Sequence, residues 1–356
     1  MVQFLNILFY FITLILLIIF IIQLFMSIPR KYRKKYSGNP HFRALVMIPC
    51  RGVDFSFEED LQSLIHQDYP NYDTVAVVDS EDDPSVEYLK KLGINYMISD
   101  YESDGSGKVR AISTVLSRMP DYDAFVIADS DIIAKKNWLM NLLRPLTDDS
   151  YGISTTFPYF SPEGGFWSHF KTSWGLVGQS MMESDLTVFG WGGSLAFRKE
   201  LLEDGESMDD FSSDISDDLA LSRICTRKSM KIAYVKEATV TIKSPDDRNV
   251  FMEWSLRQTS LLVSRKPASL KLGLLLYGSE SLLILASIPY VIFFSPLYVI
   301  FLLPAFINIV KTYTRIREKK PVYAFIGLMM PFFYTWNLAV ASRMKEISWR
   351  GRNYKL

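Results

Sequence analysis

The segment "FVIADSDII", residues 125–133, sets a run of β-forming residues against two carboxylates, Asp129 and Asp131, one residue apart. Consecutive strand side chains alternate faces, so a strand carried through this segment turns both carboxylates to one side. Two anions held together in a partly buried site either raise one pKa or recruit a cation, and a divalent metal with oxygen ligands does the latter. The competing reading is a solvated Asp- and Ser-rich turn after a strand. A second run, "VAVVD", ends at Asp79 and continues "SEDD". Asp83 before Pro84 reads as a helix N-cap, which leaves Asp79 unexplained because it closes the strand itself.

Three further stretches carry residue types that do chemistry. "SDGSGKVRAI", residues 103–112, is a glycine-containing loop entering a helix with Lys108 in its first turn. Helix-start N–H groups plus a cation suit a phosphate, and a solvated lysine suits the same pattern. "GWGGSLAFRKEL", residues 190–201, places three glycines around Trp191 and Ser194 ahead of an expected helix. Gly192 and Gly193 permit close backbone approach to a ligand, or make an ordinary turn. "DDFSSDISDDLALSRI" is an acidic loop entering a helix whose Leu219, Leu221 and Ile224 are expected to face inward. Asp217 and Asp218 there are either dipole-favourable caps or the source of a general base.

The elements that must position these residues are short. "ALVMIPC", "DTVAVVD", "INYMIS" and "DAFVIAD" are apolar without alternation, as in a mostly parallel sheet covered on both faces. Helical patterns at 57–67, 84–92, 108–118 and 136–144 separate them, giving repeated βαβ units and an α/β domain. In open α/β sheets ligands bind beyond the carboxyl ends of the strands, where Asp79 and Asp129 both stand.

The 49% apolar content of the 356 residues is concentrated at the two ends. Residues 4–26 carry no charge and are long enough to cross a hydrocarbon core of about 30 Å. Arg30, Lys31, Arg33, Lys34 and Lys35 follow, and the positive-inside rule assigns that flank and the body after it to the cytosol. A signal peptide would have a shorter apolar region and a small-residue cleavage site where "SIPRKYRKKY" stands. Residues 272–310 hold one acid, Glu280, and read as two spans joined by a tight turn near Ser295 and Pro296. Residues 321–341 are also long enough to span, but Pro331 and basic flanks on both sides favour a re-entrant hairpin or interfacial helix. The expected organisation is an anchor at 1–29, a cytosolic domain at 30–250, an interfacial helix at 251–271, membrane segments at 272–341 and a basic cytosolic tail at 342–356. Two cysteines, Cys50 and Cys225, suit a reducing compartment without disulfide or zinc. A formal net charge of zero gives no electrostatic case for nucleic acid, and no feature calls for an obligate protein partner.

Asp79, the "DSD" of Asp129 and Asp131, "WGGS" and "SDDLALSR" follow one another in the order and approximate spacing of the membrane-bound family 2 glycosyltransferases. From about Phe42 onward the chain resembles their ceramide-glucosyltransferase branch, family 21, closing on "ISWRGRNY". The resemblance implies a GT-A type fold: a mostly parallel central sheet with helices on both faces, plus N- and C-terminal transmembrane helices. It implies that Pro49 and Arg51, in "VMIPCRG", hold the nucleotide and that Asp79 reads the uracil and ribose side of a UDP-sugar. Asp129 and Asp131 match the metal-binding DxD, whose last Asp ligates Mn2+ or Mg2+ on the diphosphate. Asp218 matches the base of the (E/D)D motif, and Arg257 matches the (Q/R)xxRW arginine that faces the diphosphate, with Lys108 adding fixed positive charge. Trp191, Gly192, Gly193, Asp217 and Gln258 fall on the sugar or acceptor side.

The implied reaction is inverting, non-processive, metal-dependent transfer of a sugar, glucose in this branch, to the hydroxyl of a membrane lipid such as ceramide or diacylglycerol. Aligned on Arg257, Trp254 stands where Gln or Arg is usual and Gln258 where Trp is usual. A processive polysaccharide synthase would carry the complete motif and more spans, and a non-catalytic nucleotide-sugar-binding scaffold would lack the base or the DxD. Trp167, Trp174 and His169 read either as an acceptor passage or as interfacial anchoring with a structural histidine.

Overall fold

The computed structural model describes residues 2–28, 32 and 34–356, with 2–6 by backbone alone. Arg30, Lys31 and Arg33 of the basic flank therefore lie outside the described residues. In chain order the first elements are α1 (Val2–Ser27), β1 (Ala44–Pro49), α2 (Phe57–Ile65), β2 (Tyr72–Val78), α3 (Ser85–Leu92), β3 (Tyr96–Ile98), α4 (Gly107–Arg118), β4 (Ala124–Ala128) and α5 (Trp138–Leu143). There follow β5 (Tyr151–Thr155), β6 (Tyr159–Pro162), α6 (Phe166–Met182), β7 (Ser194–Arg198), α7 (Gly205–Ser212), α8 (Asp217–Arg227), β8 (Lys231–Tyr234) and β9 (Thr241–Ser244). The last are α9 (Arg248–Arg265), α10 (Pro267–Gly273), α11 (Ser279–Phe293), α12 (Leu303–Arg315), α13 (Val322–Ala341), β10 (Glu346–Trp349) and β11 (Arg352–Lys355).

These elements fall into two units. A sheet unit comprises Arg33–Glu163 and Val177–Pro245, and a helical unit comprises Met1–Tyr32, Gly164–Leu176 and Asp246–Leu356.

In the sheet unit seven strands lie in the order β3-β2-β1-β4-β7-β5-β8. β3, β2, β1 and β4 are mutually parallel, β7 is antiparallel to both neighbours, and β5 and β8 are parallel. The non-alternating apolar runs follow from burial on both faces. Leu45 and Met47 join Val109, Ile112, Val115, Leu221 and Ile224 in one core, while Val46 and Ile48, on the opposite face of β1, are as fully buried. Beside the main sheet β6 pairs in parallel with β9, and Ile133 bridges to Thr241.

Two expectations are corrected here. The segment after the glycines is a strand, β7, where a helix was expected. Leu195, Ala196 and Phe197 are wholly buried between β4 and β5, and this tertiary burial overrides the helix-compatible composition of "LAFRKEL". On α8, Leu221 and Ile224 are buried as expected but Leu219 is only half-buried, its inward place being taken by Ala220 and Cys225.

Among the described residues, the helical unit holds four stretches long and apolar enough to cross a membrane: Ile7–Ser27, Pro267–Phe293, Pro296–Arg315 and Val322–Ala341. Their polar side chains pair within the unit. Gln23 Nε2 donates to Leu276 O and Ser279 Oγ, both at 2.7 Å, and Asn308 Nδ2 donates to Glu280 Oε1 at 2.9 Å. Such bonds satisfy groups that hydrocarbon would leave stranded. Ser295 caps the helix that starts at Pro296 by accepting Leu297 N–H. Pro331 sits inside one continuous helix, α13, so the chain does not turn back on itself there.

Candidate active site

The parallel strands β2, β1 and β4 deliver their carboxyl ends to one edge. Pro49 is opposite Val77, so Asp79 stands just beyond Pro49, and Met47 opposite Ile127 brings Asp129 to the same level. Arg51 Nη1 lies 3.2 Å from Asp79 Oδ2, which joins two of the residues expected at the nucleotide. The loop between them is fastened by Asp83. Its carboxylate accepts Gly52 N–H at 3.1 and 3.2 Å as well as Ser85 N–H and hydroxyl. Asp83 is thus more than a cap, and Gly52 meets it with φ +72°, a conformation that favours glycine.

The two aspartates of "DSD" do not share a strand face. β4 ends at Ala128, Asp129 N–H bonds to Gly193 O at 3.1 Å, and the chain turns through Ser130 and Asp131 before Ile133 pairs with Thr241. Loop geometry, not strand alternation, therefore aims these carboxylates. Ser130 Oγ reaches Asp54 Oδ2 at 3.5 Å, and Asp131 is half-buried.

Lys108 is the hub of the edge. Ser106 caps α4 by accepting Val109 N–H at 3.2 Å, and Lys108 in the first turn sends its Nζ to Asp129 Oδ1 at 2.7 Å, Asp217 Oδ2 at 3.1 Å and Gly192 O at 3.1 Å. Its side chain is 12% exposed, so the solvated reading does not hold. Burial works to lower its pKa, yet Asp129 and Asp217 together hold it above the ordinary lysine value. Burial pushes the Asp217 carboxyl above the usual carboxylate range, against the opposing pull of Lys108. Asp217 thus meets Lys108 from a buried position. Gly192 has to be glycine, because a Cβ there would collide with the Asp217 carboxylate and crowd Lys108 Nζ.

Asp218 is held differently. It is half-buried at the start of α8, and its carboxylate accepts Gly192 N–H at 3.1 Å, Leu219 N–H at 2.7 Å and the Ser216 hydroxyl. Ser222 Oγ ties the helix to the glycine loop, accepting Gly190 N–H at 2.8 Å and donating to Asp218 O at 2.7 Å. Asp214, buried and ion-paired with Arg223 at 2.8 Å, fixes the approach to α8 by accepting Ile215 and Ser216 N–H. Sequence reading missed Ser216, Ser222 and Asp214. The N-cap position of Ser216 before two acids was the available signal. Trp191 is half-buried, its N–H bonded to Thr155 Oγ1 at 3.0 Å and its ring 6.0 Å from that of Phe157, and its ring fills the space a Cβ on Gly193 would need.

The sequence profile of glycosyl transferase family 21 matches residues 9–356. The chain belongs to that family. Ceramide glucosyltransferase 3 of Caenorhabditis elegans is 21% identical over 264 residues, 71% of this chain and 57% of that protein, so this chain spans little more than half the length of that relative. The mannosyltransferase PcManGT from Pyrobaculum calidifontis, solved with GDP-Man and Mn2+, superimposes with a TM-score of 0.52 at 14% identity over 93% of this chain and 95% of that one. That likeness is one of fold, and the fold is GT-A.

In this family 21 chain the donor set at the edge is of hard oxygens, and among the described residues no group of three or more His, Cys, Asp or Glu forms a metal cage. One or two carboxylates suit a divalent cation that takes its other ligands from phosphate and water, so the residues present fit Mn2+ or Mg2+. Lys108 neutralises Asp129, which makes Asp131 the stronger candidate ligand. Arg257 and Gln258 lie on α9 of the helical unit, both half-buried. Trp254, one turn earlier, is engaged within that unit: Lys171 Nζ lies 4.5 Å from its ring centroid while ion-paired with Asp246 at 3.0 Å.

Proposed function

We propose that the protein transfers one sugar, glucose in the first instance, from a UDP-sugar to the hydroxyl of a membrane lipid such as ceramide or diacylglycerol, with inversion at C1. The observation that carries the reading is the Lys108 hub. It gathers the first DxD aspartate and the (E/D)D segment on the ligand-binding edge of a family 21 chain.

Arg51 and Asp79 take the nucleoside side. Asp131, aided by Asp129, would hold Mn2+ or Mg2+, which would supply positive charge against the negative charge that builds on the departing diphosphate. Asp218 removes the acceptor proton as the hydroxyl attacks, and its bonds from Gly192 N–H and Ser216 hold the carboxylate for that role. A single base with no covalent intermediate gives inversion. Lys108 and Asp217 position these groups, and Arg257 enters through its motif alone.

A lipid acceptor is favoured by four apolar helices and by the name of the ceramide glucosyltransferase relative. Helices at 1–29 and within 272–341 would hold the 30–250 domain on the cytosolic face, where an acceptor in the bilayer is already oriented. Trp254 and Gln258, standing in place of the usual Gln or Arg and Trp, support a single transfer over polymerisation. The test is reconstitution into nanodiscs with a panel of UDP- and GDP-sugars and total membrane lipid, with product identification by mass spectrometry. Glycosylated lipid that depends on Mn2+ or Mg2+ supports the reading. A glycan polymer or no product with any donor contradicts it.

A further inference from the structure

Arg257 has an aromatic partner that its own motif lacks. Gln258 occupies the position where the motif's tryptophan is expected, yet the Arg257 guanidinium lies 4.9 Å from the centroid of the Trp349 ring, contributed by β10 of the same unit. The placement of Trp349 is built into the chain. β10 and β11 pair antiparallel with Trp349 opposite Arg352, so only Arg350 and Gly351 make the turn. Both have positive φ, +49° and +75°, the conformation of a tight two-residue hairpin turn whose twist matches its strands. Ile347 is buried on one side of the hairpin, and Tyr354 stands edge-on to Trp349 at 6.4 Å. The ring is therefore set by a short hairpin and a neighbouring aromatic, not by a loose tail.

A ring beneath a guanidinium attracts it through the ring's quadrupole, and that contact does not itself occupy an N–H group. An arginine so held presents its fork in one orientation, as bidentate recognition of a phosphate needs. We propose that Trp349 is a positioning residue for Arg257, supplied by the C-terminal hairpin. The proposal rests on the reading of Arg257 as the cation that meets the donor diphosphate.

The test is a double-mutant cycle on the full chain in nanodiscs, with UDP release from UDP-glucose and a short-chain ceramide as the readout and thermal unfolding as the check on folding. Arg257→Ala is expected to lower kcat/KM for UDP-glucose by about a hundredfold. Trp349→Leu should lower it about tenfold and Trp349→Phe no more than about threefold. In the Arg257→Ala background neither Trp349 change should cost more, because Trp349 acts only through Arg257. Should Trp349→Leu fail to fold, Trp349→Met, which also removes the aromatic ring, carries the same cycle. Additive losses, or a Trp349→Leu variant that turns over at the wild-type rate while Arg257→Ala is impaired, would overturn the role of Trp349. Wild-type turnover by Arg257→Ala would instead overturn the reading of Arg257 itself.

Discussion

Lys108 Nζ lies 3.1 Å from Asp217 Oδ2, and the same ammonium reaches Asp129 Oδ1 at 2.7 Å. Removing one partner of a buried ion pair strands the other charge, at a cost of about 3–5 kcal/mol. Lys108→Met should therefore unfold at markedly lower temperature and lose most turnover. Lys108→Arg should rescue little, since a planar fork cannot replace a point charge shared by three acceptors beside Gly192. Thermal unfolding with UDP release checks both variants, and a wild-type profile for Lys108→Met would remove the hub from the account.

Asp131 is half-buried in a turn, so its loss should cost the fold little. Asp131→Ala is expected to unfold like the wild type yet to bind UDP in the presence of Mn2+ at least about tenfold more weakly. Calorimetric titration of UDP with and without Mn2+ measures this, and unchanged Mn2+-dependent binding would place the cation elsewhere.

Asp60, 1% exposed in the first turn of α2, is bonded through both carboxylate oxygens to the Ser56 hydroxyl at 3.0 Å, and burial pushes its carboxyl up to about 7. The folded chain thus keeps a proton that the unfolded chain, with an ordinary carboxylate near 3.9, has released. The resulting stability is fully present below about pH 4, declines as pH rises to about 7 and is level above that. Asp60→Asn removes the decline. It should match the wild type near pH 4 and exceed it above about pH 7 by up to about 4 kcal/mol, as read from unfolding midpoints across pH. Equal midpoints at high pH would show that Asp60 is not buried as a neutral acid.

The sheet was legible because its parallel strands are buried on both faces and so spell continuous apolar runs, as in "ALVMIP" and "AFVIA". β7 was not, because five residues after a glycine loop carry a composition that either a helix or a strand can use, and only burial between β4 and β5 decides. The candidate site divides in the same way. Asp79, Asp129 and Asp218 announced themselves by residue type at element ends. What each one touches did not follow, since Lys108 meets Asp129, Asp217 and Gly192 only through the crossing of four separate segments, and the turn at Ser130 aims Asp131 where strand alternation would not. The partnership of Arg257 with Trp349 joins a helix to a distant hairpin and has no local signature.

Asp218 carries the central claim of base-assisted transfer, and Asp218→Asn keeps the size of the side chain while removing its basicity. The deciding measurement compares wild type and Asp218→Asn in nanodiscs for glycolipid formation from UDP-glucose and ceramide, alongside UDP binding with Mn2+. The account predicts that transfer falls by at least about a thousandfold while binding stays within about threefold. Transfer by Asp218→Asn at a rate near the wild type would contradict it.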